Sequence, residues 1–249
     1  MRFTIIKTEN YDSMSRLGAN KVIEKIKEQP DMVLGLATGS SPEGLYCALI
    51  EDHRKNGTSY RGIKTVNLDE YIGLKKNNPN SYHSFMYEKL FRYIDIHPEH
   101  SHIPNGITDD PDLEAKRYDK LIEQLGGVDM QILGIGQNGH IGFNEPGTPF
   151  SSRTRIVRLE NSTRMANSRF FSNMDEVPSQ AITMGISSIL DSKEIILLAS
   201  GSAKAPAIKR LLTEEVSENF PASALKLHKN VTIIADSDAF KLCEGMVFE

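Results

Sequence analysis

Four side chains able to move, hold or orient a proton fall within eight residues near the middle of the chain: Asn138, His140, Asn144 and Glu145. They belong to G-I-G-Q-N-G-H-I-G-F-N-E-P, Gly134 to Pro146, which runs on into Gly147. An imidazole takes up and returns protons near neutral pH. Gly134, Gly136 and Gly139 also satisfy the dinucleotide fingerprint G-x-G-x-x-G, with Glu160 roughly twenty residues further on. That fingerprint needs a helix opening at its third glycine, and Gly142, Pro146 and Gly147 oppose one. A nicotinamide cofactor is therefore not expected. A glycine-rich turn with a loop histidine would explain the stretch in isolation. The density of chemistry, in a segment that neither helix nor strand can hide, favours a site.

Other places in the chain offer complementary chemistry. Asp69, Glu70 and Tyr71 follow the apolar run Ile63 to Leu68. Neighbours on an extended segment face opposite ways, so one acid can enter a crevice while the other turns toward structure or solvent. Thr38, Gly39, Ser40 and Ser41 precede a helical segment, with Pro42 expected at its first position. Free backbone amides, the helix dipole and three hydroxyls suit an anion there, whereas an ordinary cap needs one Ser or Thr. S-G-S-A-K-A, Ser200 to Ala205, repeats the pattern, and Lys204 in a first helical turn opposes the dipole unless an anion lies between them. Arg164 and Arg169 stand in N-S-T-R-M-A-N-S-R-F-F, and the arginines of R-T-R-I-V-R-L, Arg153 to Leu159, read as surface charges on a strand. His97, His100 and His102 beside Glu99 match no zinc spacing, so no metal is expected.

The elements that must position these groups alternate. Strands are expected at Phe3 to Thr8, Met32 to Ala37, Ile63 to Leu68, Val128 to Leu133, Glu194 to Ala199 and Val231 to Ala235. Helical periodicity covers Asp12 to Gln29 until Pro30 and the segment after Pro42. It also covers a helix capped by Ser81, and Pro111 to Leu125 before Gly126 and Gly127. This alternation predicts an α/β fold: one Rossmann-like, doubly wound domain over residues 1–249, with a mostly parallel sheet flanked by helices. In such a sheet ligands bind outside the carboxyl ends of the strands, at the point where strand order reverses. His140, Asn144 and Glu145 are expected to project into that crevice.

With 249 residues and a net charge of −4, acids and bases interleaved, the chain lacks the basic stripe of a nucleic-acid surface. No apolar run is long enough to span a bilayer. Cys47 and Cys243 make neither a disulfide framework nor a metal spacing. These features predict a cytoplasmic protein acting on a small molecule.

L-A-T-G-S-S-P, N-L-D-E-Y-I-G-L, G-I-G-Q-N-G-H-I-G-F-N-E-P-G, S-R-T-R with A-N-S-R-F-F, and G-S-A-K-A occur in that order. Together they closely resemble the glucosamine-6-phosphate deaminases of the glucosamine-6-phosphate isomerase/6-phosphogluconolactonase family, over nearly the whole chain. The related lactonases share the G-x-G-x-x-G-H segment without the F-N-E-P continuation or the D-E-Y strand end. The resemblance implies conversion of glucosamine-6-phosphate and water to fructose-6-phosphate and ammonia, in amino-sugar breakdown, without cofactor or metal. It implies that His140 opens the sugar ring with Glu145 and Asn138 in the relay, and that Asp69 moves the carbon 2 proton. It assigns the phosphate to Thr38, Gly39, Ser40, Ser41, Arg169 and Lys204.

Two departures from the family pattern refine the expectation. Some members carry Asp at position 138, where this chain has Asn138; an amide can orient His140 but cannot neutralise its imidazolium, which leaves the charge to Glu145. Regulated hexameric members use basic residues near S-R-T-R and an aromatic residue in a longer carboxyl tail; here Val157 interrupts the basic pattern and the sequence stops at Glu249. A monomer or homodimer with little activation by N-acetylglucosamine-6-phosphate is expected. The alternatives are a lactonase, for which Asp69 would have no proton to move, and a non-catalytic sugar-phosphate sensor.

Overall fold

The computed structural model describes residues 3–159, 164, 165, 168, 171 and 173–246. Seven strands make an all-parallel sheet: β1 (Thr4–Thr8), β2 (Val33–Leu36), β3 (Lys64–Asn67), β5 (Ser101–His102), β6 (Met130–Gly134), β9 (Ile195–Ala199) and β10 (Val231–Asp236). Their order is β1-β10-β9-β6-β2-β3-β5. From β2 the chain winds outward through β3 to β5, and from β6 it winds the other way through β9 to β10. Strand order therefore reverses between β2 and β6, which places the crevice of a doubly wound sheet there.

The strands read as continuous apolar runs because both faces are covered. Val33, Leu133, Leu197 and Ile233 enter one core, and their neighbours Leu34, Ile132, Ile196 and Ile234 enter the other. This is the two-residue period of a strand. Truncating one of these side chains to alanine should cost roughly 2–5 kcal/mol.

Helices α1 (Tyr11–Glu28) and α2 (Ser40–Asn56) pack on the second of those cores. Asn10 opens α1 with a capping box in which its side chain accepts from Ser13 N while Ser13 Oγ accepts from Asn10 N. Helices α3 (Tyr82–Lys89) and α4 (Pro111–Gln124) start at Ser81 and Asp110, each side chain accepting from the amide three residues on.

Two local expectations change. Helix α2 starts at Ser40, with Gly39 as its cap at φ 88°, so Pro42 occupies the third position and Ser40 and Ser41 are already helical. The D-E-Y segment does not extend β3: it forms β4 (Asp69–Tyr71), which pairs antiparallel with β8 (Gln180–Thr183). Strand β8 in turn pairs antiparallel with β7 (Arg155–Arg158). This second, three-stranded sheet begins just after β3 and carries Asp69 and Glu70 on β4. Shorter α-helices follow at α5 (Ile186–Leu190), α6 (Ala205–Thr213) and α7 (Ser237–Phe240).

Candidate active site

Strand β6 delivers Gly134 to the switch point, and the chain then turns tightly. Gly136 N donates to His140 O at 2.8 Å and Gly139 N to Gly136 O at 3.1 Å. The His140 ring lies over Gly136, where a Cβ would stand 2.3 Å from Nδ1. Gly139 has φ 87°, and a Cβ on it would meet the Phe220 ring at 2.1 Å. The segment carrying Phe220 holds the loop at both ends: Ala222 N donates to Gly139 O and Gly147 N donates to Glu218 O, each at 2.8 Å. Sequence reasoning missed this anchor, because nothing in Ser217 to Ala222 marks a partner so distant along the chain.

Asn138 stands between His140 and Glu145. Its Nδ2 donates to Glu145 Oε2 at 2.6 Å, and its Oδ1 lies 2.7 Å from His140 Nδ1. Only the amide nitrogen can donate to a carboxylate, so the amide oxygen faces the ring and Nδ1 must carry the hydrogen. The lone pair of the neutral ring is then on Nε2. Glu145 Oε1 also lies 3.6 Å from His140 Nδ1, within ion-pair range when the ring is protonated.

Asp69 and Glu70 separate as the extended geometry requires. Glu70 is buried; its carboxylate accepts from Tyr71 N, Tyr82 N and His83 N and lies 2.8 Å from His83 Nδ1, which fixes the start of α3. Asp69 is 6% exposed and finds no hydrogen bond among the described residues. Burial, and then the neighbouring Glu70 charge, push its carboxyl up to about 8. A Cβ on Gly142 would come within 3.6 Å of Asp69 Oδ2, so this carboxylate borders the His140 loop.

The two glycine turns foreseen as anion sites face one cavity. Ser40, Ser41, Ser200 and Lys204 line an opening of about 490 Å³ together with Tyr11. Gly39 and Gly201 cap their turns with φ 88° and 85°. Lys204 is the N-cap of α6; burial lowers its pKa, and no carboxylate pairs with it among the described residues. Its turn is held from behind by Asp236, which accepts from Gly201 N at 3.0 Å and from Ser200 Oγ. Burial raises the pKa of the Tyr82 hydroxyl, which lies near Thr38, well above the usual tyrosine value. Arg169 lies outside the described residues. Arg164 Nη2 donates to Met174 O and Val177 O, at 3.1 and 2.9 Å.

Asn144 does not enter the crevice. It is fully buried, donating to Ile141 O and Met184 O at 2.9 and 2.8 Å and accepting from Arg155 Nη1 at 2.7 Å. Arg155 is correspondingly half-buried, its other bond running to Thr148 Oγ1, so it is not the surface charge that strand alternation suggested. Arg153 does fit that expectation, pairing with exposed Asp191. Among the described residues no group of three His, Cys, Asp or Glu could hold a metal ion, and no helix is long and apolar enough to cross a membrane.

The family model for glucosamine-6-phosphate isomerases and 6-phosphogluconolactonase matches residues 7–234. A glucosamine-6-phosphate deaminase of Geobacillus sp. (strain WCH70) is 57% identical over 96% of this chain and 95% of its own length. Glucosamine-6-phosphate deaminase 1 of Bacillus subtilis (strain 168) is 51% identical over 96% of this chain and 98% of its own. A solved monomeric glucosamine-6-phosphate deaminase superposes with a TM-score of 0.95 at 50% identity, covering 96% of this chain and all of that one. The 6-phosphogluconolactonase of Trypanosoma cruzi shares the fold, with a TM-score of 0.80 at 18% identity over 99% of this chain and 98% of that one.

Proposed function

This chain belongs to the glucosamine-6-phosphate isomerase/6-phosphogluconolactonase family, and on that premise we propose that it converts glucosamine-6-phosphate and water to fructose-6-phosphate and ammonia. The observation that carries this reading is Asp69: a buried, unpaired carboxylate pushed up to about 8, beside the His140 loop. Such a group is a far stronger base than an ordinary aspartate, whose pKa is about 3.9. A proton on carbon needs a base of that kind, and lactone hydrolysis offers no such proton.

In this reading His140 Nε2 takes the proton of the anomeric hydroxyl and returns one to the ring oxygen. Asn138 orients the ring through Nδ1, and Glu145 compensates the positive charge while the imidazole is protonated. The open aldehyde acidifies carbon 2. Asp69 takes that proton and delivers it to carbon 1 through an enolamine, leaving an imine at carbon 2. Water adds to the imine, and ammonia leaves. The phosphate, remote from the reacting atoms, is held by Thr38, Gly39, Ser40, Ser41 and Lys204, with Arg169 assigned by resemblance; its binding energy serves to position carbons 1 and 2. The whole chain is read as one cytoplasmic catalytic unit, working as a monomer or homodimer.

The test mixes purified protein with glucosamine-6-phosphate and follows fructose-6-phosphate and ammonia together. Equal amounts of both, abolished in Asp69→Asn, are expected. Tight sugar-phosphate binding without turnover would favour a sensor instead.

A further inference from the structure

Tyr11, the first residue of α1, places its hydroxyl 2.7 Å from Ser40 O, to which it donates, and 2.7 Å from Gly44 N, from which it accepts. These two groups are the acceptor and donor of the second i to i+4 rung of α2, the first one set by a helical residue. A side chain inserted at such a rung alters the turn that carries it. Here that turn is the one assigned to the substrate phosphate.

We propose that Tyr11 is a positioning residue for phosphate binding: it orients and polarises the peptide between Ser40 and Ser41. The inference rests on the phosphate assignment of the deaminase reading. The Ser40 carbonyl and the Ser41 amide belong to one peptide unit. A donor at the carbonyl strengthens the amide as a donor, as hydrogen bonds in a chain polarise one another. Few amides are available in this turn, because Pro42 has none, and with no side-chain cap from Gly39 the Ser41 amide stays open to an anion. The Ser41 amide therefore bears a large share of any anion's contact with the backbone.

The packing of α1 on α2 is built around this bond. A Cβ on Gly44 would stand 2.8 Å from Tyr11 Cε1 and 2.3 Å from Ser15 Oγ, so the ring lies where only a glycine leaves room. Tyr11 also lines the same cavity as Ser41, Ser200 and Lys204. The hydroxyl is thus committed to the turn's backbone while the ring borders the space the phosphate would fill.

Tyr11→Phe removes the hydroxyl and keeps the ring. The KM for glucosamine-6-phosphate and the Kd for inorganic phosphate, measured by calorimetry, are expected to rise together by about 3- to 10-fold, the range of one lost hydrogen bond. The kcat should stay within about twofold, since no reacting atom is touched. A lower Tm with unchanged phosphate affinity would mark a merely structural bond and overturn the proposal, as would a loss of kcat alone. Absence of ammonia release by the unaltered protein would instead count against the deaminase reading, and the phosphate titration stays readable in that case.

Discussion

Asp69 and Glu70 are adjacent on β4, both buried, and opposite in environment. Glu70 accepts three backbone amides and faces the His83 ring, while Asp69 has no hydrogen bond among the described residues. One carboxylate builds the site and the other is left reactive, and the charge of the first helps raise the pKa of the second.

A base must be ionised to act, so kcat/KM should climb about tenfold per pH unit below the Asp69 pKa of about 8 and level above it. Stability should run the other way. The folded pKa lies above the unfolded value of about 3.9, so between those values the native state binds more protons than the unfolded chain, and stability falls as pH rises toward 8. Urea unfolding of Asp69→Asn at pH 6 and 8 should lack this decline, which in the unaltered protein approaches 1.36 kcal/mol per pH unit at its steepest. A flat activity profile from pH 6 to 8 would place the ionisation of the base outside that range, and undiminished turnover in Asp69→Asn would exclude Asp69 as the base.

Glu145→Gln should harm turnover more than Asn138→Ala. Removing the Asn138 amide keeps the Glu145 carboxylate 3.6 Å from His140 Nδ1, within ion-pair range of the protonated ring. Removing the charge leaves a protonated ring with no counterion in the relay. A loss of kcat/KM on the order of 10²-fold is expected for Glu145→Gln, in the range of acid–base catalysis, and about tenfold for Asn138→Ala. The reverse order would assign the main role to the amide.

Much of this arrangement was legible in the sequence, and the exceptions have a common cause. Six of the seven parallel strands follow from apolar runs, and the loops around the site from the glycine turns that end β2, β6 and β9, all local signals. Asn138, His140 and Glu145 come together because they lie on one tight loop. The three-stranded sheet escaped notice because β4 is three residues long and finds its partner, β8, more than a hundred positions away. Asn144 and Arg155 were misjudged for the same reason: residue type marks them as polar, but only the fold shows that they satisfy each other inside it.

Lys204→Ala should raise KM about 10- to 100-fold, as expected for losing a bond to a charged group, with a smaller effect on kcat. Because burial lowers the Lys204 pKa, phosphate binding should also weaken at a lower pH than an ordinary lysine would give. Titration with inorganic phosphate from pH 7 to 10 reads both effects. Equal phosphate affinity in the variant and the unaltered protein would remove Lys204 from the site.

Gly139→Ala should impair both stability and turnover. The backbone at φ 87° costs a non-glycine residue about 1–2 kcal/mol, and the new methyl must displace the Phe220 ring, about 1–3 kcal/mol more. The Tm should fall by roughly 5–15 °C. Because Gly139 immediately precedes His140, kcat should fall even at temperatures where the variant is fully folded, as measured by circular dichroism. An active, destabilised variant would show that the loop re-forms His140 without this contact.

Regulation is the remaining expectation to test. Arg155 is already bonded to Asn144 and Thr148, and Val157 interrupts the basic side chains of the same strand, so β7 leaves Arg158 as its exposed cation for an effector phosphate. The rate curve for glucosamine-6-phosphate should be hyperbolic and unchanged by N-acetylglucosamine-6-phosphate, and light scattering should give the mass of one or two chains. A sigmoidal curve that the effector makes hyperbolic would require a second anion site, and the exposed Arg158 rather than Arg155, whose bond to Asn144 holds the His140 loop from behind, would be its first candidate on β7.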